Sequence, residues 1–84
     1  MKRIKRAKFY LSEYGVPFFM FNDKIYSMVT KSELVCGERI RQNTIDKAKR
    51  ISYEGALSIT KESKLGVSVS TLSSLRSWLK KLDR

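Results

Sequence analysis

The sequence contains no histidine and one cysteine, Cys36. Without histidine it lacks the commonest metal ligand and the usual acid–base group at neutral pH, and zinc sites of familiar Cys/His spacing are excluded. One cysteine permits no internal disulfide. With no imidazole to activate it, Cys36 reads as a small buried residue rather than a nucleophile. The expectation is a non-enzyme with no metal and no cofactor, in a reducing, cytoplasmic setting. No apolar run approaches the length that crosses a bilayer. The basic opening, Lys2-Arg3-Ile4-Lys5-Arg6, is not followed by the apolar stretch of a secretion signal, so no membrane partner is expected.

Acidic residues are also scarce. Eight Asp and Glu stand against 18 Lys and Arg, a net charge of +10 on 84 residues. A chain this short reads as one domain with a modest core and marginal stability. Its 42% hydrophobic and 11% aromatic content is that of a globular chain. Such a charge opposes compaction, and a polyanion would relieve it. Nucleic acid is the first candidate, because neutralised phosphates release counterions. The cations are expected to gather on one side of the body.

Residues 1–7 read as a flexible basic arm or, since Ile4 and Ala7 interrupt the charges, a short strand. Residues 8–29 read as β. Phe9-Tyr10-Leu11 precedes a turn at Gly15, and Pro17 suits the start of a strand. The runs Phe18–Phe21 and Lys24–Val29 flank Asn22-Asp23, the pattern of a tight hairpin. Thr30-Lys31-Ser32-Glu33 fits a capping box and predicts a helix through Leu34 and Val35. Asn43 or Thr44 is placed to cap a second helix ending near Arg50, Gly55 breaks the pattern, and a third helix is expected over 58–65. Gly66 suits a helix end, and Ser68 or Ser70 suits the cap of a last helix. There Leu72, Leu75, Trp78, Leu79 and Leu82 form one apolar stripe. The fold class predicted is α+β: an N-terminal β-hairpin or three-stranded antiparallel sheet followed by three or four short helices.

Residues 58–78 resemble the helix-turn-helix of small repressor-type DNA-binding proteins. Leu65-Gly66-Val67-Ser68 and Ser70-Thr71-Leu72-Ser73-Ser74-Leu75 carry the resemblance, which covers about a quarter of the chain. It implies a small DNA-binding regulator of phage or mobile-element type, whose last helix docks on duplex DNA. Ser68, Ser70 and Thr71 would meet phosphates at the helix start. Ser73, Ser74, Arg76 and Ser77 would face bases or backbone, Arg76 being suited to guanine. Lys80, Lys81 and Arg84 would hold phosphates as the helix leaves the groove, and Arg3, Lys5 and Arg6 would form an auxiliary arm.

Arg39, Arg41, Lys47, Lys49 and Arg50 form a second basic cluster, suited equally to phosphate and to water. Phe9, Tyr10, Tyr14, Phe18, Phe19, Phe21 and Tyr26 concentrate in the β portion, where they would fill a core or stack bases. Trp78 belongs to the apolar stripe and could instead anchor a homodimer through the C-terminal helix. Two other functions fit the composition. One is a basic inhibitor or adaptor docking on an acidic protein, such as RNA polymerase or a nuclease, with the aromatic strand added to a partner's sheet. The other is a His-free ribonuclease using Tyr26 and Arg39.

Overall fold

The fold grows outward from the turn at Asn22-Asp23. In a computed structural model, which describes residues 6–62 and 69–83, these two residues have φ of 53° and 63°. Asn and Asp tolerate this left-handed backbone, and two such residues in succession match the twist of a hairpin. The turn joins β2 (Pro17–Phe21) to β3 (Lys24–Ser27), with Phe21 opposite Lys24. On the other side of β2 lies β1 (Lys8–Leu11). The β1–β2 turn is closed by Ser12, whose hydroxyl accepts the Tyr14 and Val16 amides at 3.2 and 3.0 Å. Gly15 supplies the positive φ, 79°, that this turn needs.

Two short strands flank this meander. They are β4 (Ser32–Glu33) against β3 and β5 (Lys49–Arg50) against β1, giving a five-stranded antiparallel sheet in the order β4-β3-β2-β1-β5. The helices are α1 (Glu38–Asp46), α2 (Tyr53–Glu62) and α3 (Leu72–Leu82). The α+β class predicted from the sequence is thus observed, with two more strands than the three expected.

Several local readings are overturned. Thr30 to Glu33 do not cap a helix. Lys31 has a φ of 53°, the Thr30 and Ser32 hydroxyls bond each other at 2.7 Å, and Glu33 pairs with Tyr26. The Leu34 amide then donates to the Ile25 carbonyl at 2.8 Å. Extending the ladder satisfies backbone groups of β3 that a helix would have left to water. Asn43 and Thr44 lie inside α1 rather than at its start, and the Thr44 hydroxyl donates back to the Ile40 carbonyl. That helix begins after Gly37, and Lys49-Arg50 belongs to a strand. Gly55 does not break α2. The helix starts early because the Ser52 hydroxyl accepts the Gly55 amide at 3.1 Å, as an N-cap does.

One sheet face carries Phe9, Phe19, Phe21 and Tyr26. These residues pack with Ala56 and Leu57 of α2, with Val69, and with Leu75, Trp78 and Leu79 of α3. The indole meets Phe19 and Tyr26 edge-on, at 5.1 and 5.7 Å between centroids, contacts worth about 0.5–1.5 kcal/mol each beyond burial. Trp78 is therefore a core residue, 7% exposed. The opposite face carries Phe18, Ile25 and Ser27, all buried, with Tyr10 and Met20 half-buried beside them. The aromatic strand β2 is central and paired on both sides, so it is not available for addition to a partner's sheet. Among the described residues, no helix is long and apolar enough to cross a membrane.

Candidate nucleic-acid interface

Helix α3 presents a continuous polar flank because its apolar residues fall on one side. Leu75, Trp78 and Leu79 are buried, whereas Ser73, Ser74, Arg76, Ser77, Lys80 and Lys81 are all exposed. At 3.6 residues per turn these six residues fill a single arc, with Ser73, Ser77 and Lys80 near its middle. The helix contains no acidic residue, and Lys80 and Lys81 lie in its last turn, where cations also complement the helix dipole.

The helix start differs from the sequence expectation. Thr71, not Ser68 or Ser70, is the N-cap. Its hydroxyl oxygen accepts the Ser74 amide at 3.1 Å and donates to the Ser74 hydroxyl at 2.9 Å. Thr71 therefore holds the helix end, and Ser70 sits half-buried just before it. Ser68, and the Leu65-Gly66-Val67 turn of the motif, lie outside the described residues. So do Arg3, Lys5 and Arg84.

Arg6 is described, and it is a fastener. Its guanidinium lies 3.1 Å from the Asp83 carboxylate and donates to the Asn22 side-chain oxygen at 3.0 Å. It also sits 5.0 Å from the centre of the Phe21 ring. One side chain thereby ties the start of β1 to the central hairpin and to the end of α3.

Among the described residues, the cations are not gathered on one side. Arg76, Lys80 and Lys81 lie on the helix that packs against Phe19 and Tyr26. Arg50 and Lys8 belong to the opposite sheet face, because Arg50 is opposite Tyr10 and Lys8 is opposite Met20. Strand pairing distributes the charge, and the sequence contains no local signal for the β1–β5 pairing that places Arg50. Arg39, Lys47 and Lys49 are exposed, and Arg41 is half-buried.

An open cleft of about 190 Å³ lies between the β1–β2 turn and α1, lined by Ser12, Glu13, Tyr14, Ile40, Asn43, Thr44 and Lys47. Among the described residues no cluster of His, Cys, Asp and Glu could hold a metal ion. Tyr26 is only 5% exposed. Its hydroxyl pKa is raised above the ordinary tyrosine value by burial and by the charge of Glu33. Comparison with known protein families, with curated proteins and with solved structures finds no match.

Proposed function

We propose that the protein binds nucleic acid, with duplex DNA as its main partner, through the exposed flank of α3. The observation that carries this is the arc Ser73, Ser74, Arg76, Ser77, Lys80 and Lys81, solvent-facing on a helix without a carboxylate. An α-helix fits the major groove. Short serine side chains let its backbone approach the duplex closely, and Lys80 and Lys81 are placed for phosphates where the helix ends. Arg76 offers the planar fork that matches two acceptors of guanine. In this reading α2 and α3 serve as the two helices of a helix-turn-helix-like element in a phage-type regulator.

The test is fluorescence anisotropy on a panel of duplexes, with Arg76→Ala and Lys80→Ala compared with the wild type. Lys80→Ala should weaken binding about equally on every sequence. Arg76→Ala should flatten the preference at one base pair by about 1–3 kcal/mol. Wild-type protein that fails to bind any duplex at low salt would overturn the proposal.

A further inference from the structure

We propose a second subsite, for single-stranded nucleic acid, at the β5 edge of the sheet face opposite α3, where a base stacks on the outer plane of the Arg50 guanidinium and the neighbouring lysines hold phosphates. Cross-strand register creates it: Tyr10 lies opposite Phe18 on one side and opposite Arg50 on the other. The Tyr10 and Phe18 rings are stacked, 5.3 Å between centroids with planes 17° apart. Phe18, 2% exposed, covers one plane of the Tyr10 ring from the neighbouring strand. The Arg50 guanidinium carbon lies 5.6 Å from the centre of the Tyr10 ring. Tyr10 is thus held between Phe18 and Arg50, and Arg50, exposed at the β5 edge, offers its outer plane to solvent.

Charge selects the occupant. Lys8 shares this face, two residues before Tyr10; Lys47 and Lys49 precede Arg50 at the edge, Lys49 opposite Leu11 and so on the other face; all three are exposed. Among the described ion pairs, the carboxylate contact belongs to Arg6 and Asp83, and none involves Lys8, Lys47, Lys49 or Arg50. An acidic peptide would satisfy those charges but leave the aromatic–guanidinium pair without a use. A single strand uses both, since its unpaired bases present π-faces to aromatic rings and arginine planes while its phosphates follow the lysines. A duplex keeps its bases stacked inward and could use only the lysines. The subsite stands apart from α3, whose Trp78 packs on the other face through Phe19 and Tyr26.

The experiment measures full-length protein binding to labelled oligothymidylate, to oligouridylate and to a hairpin duplex. Arg50→Ala and Arg50→Lys are the variants, and Lys80→Ala is the control on α3. Arg50 is exposed, and an unchanged melting temperature verifies folding. Both Arg50 variants should lose single-strand affinity on the order of tenfold, as loss of a stacking contact does, with duplex affinity held within about twofold. Lys80→Ala should show the reverse pattern. A larger loss for oligouridylate than for oligothymidylate supports the subsite and names RNA as the strand it takes. Arg50→Lys binding like wild type would reduce the site to plain charge and overturn the proposal, as would equal losses on single strand and duplex. Wild-type protein that ignores both single strands would also overturn it, whatever its duplex affinity.

Discussion

The Trp78 indole stands edge-on to the Phe19 ring, with planes 82° apart. Phe19 is fully buried in the central strand, so this contact fixes α3 on the middle of the sheet and turns its serines and lysines outward. Trp78→Ala should destabilise the protein by about 3–5 kcal/mol, the range for truncating a buried aromatic. Urea denaturation measures the loss, and Trp78→Phe should restore much of it.

The cap at Thr71 makes a separate contribution. Thr71→Ala leaves the Ser74 amide without its partner and should reduce stability by about 1 kcal/mol, while Thr71→Asp should preserve it. Thermal melting would show the difference, and amide exchange should place the loss in the first turn of α3.

Legibility differed along the chain according to whether the determining forces were local. Asn22-Asp23 could be read because left-handed backbone selects those residues, and the α3 stripe because one helix face had to be buried. The strand at Ser32-Glu33 could not: its sequence matches a helix start, but the open side of β3 captures it. Lys49-Arg50 has no apolar alternation and becomes strand by pairing with β1. The exposed flank of α3 was visible in the sequence as the complement of its stripe. The stack of Phe18, Tyr10 and Arg50 was not, because it depends on a register between strands almost forty residues apart in sequence. Arg6 read as part of an arm, since nothing near it in sequence announces Asp83 as its partner.

Alkaline pH should expose the burial of Tyr26. Its folded pKa is raised, by desolvation first and by Glu33 second, so the folded state holds the proton more tightly than the unfolded state does. The stabilisation is fully present below the unfolded value of about 10 and declines as pH rises from there through the folded value. Tyr26→Phe has no such proton to lose and should show a shallower fall in stability over that window in pH-dependent urea titrations. Equal slopes for the two proteins would count against the shift.

The most direct measurement is the salt dependence of duplex DNA affinity for wild-type protein and a Lys80→Ala/Lys81→Ala variant, from about 50 to 200 mM salt. Phosphate contacts by the α3 flank predict a linear fall of log affinity with log salt, and a slope shallower by nearly two in the variant, since each neutralised phosphate contributes about 0.9. A wild-type affinity indifferent to salt, or a variant whose slope matches the wild type, would contradict the assignment of α3 as the duplex-binding surface.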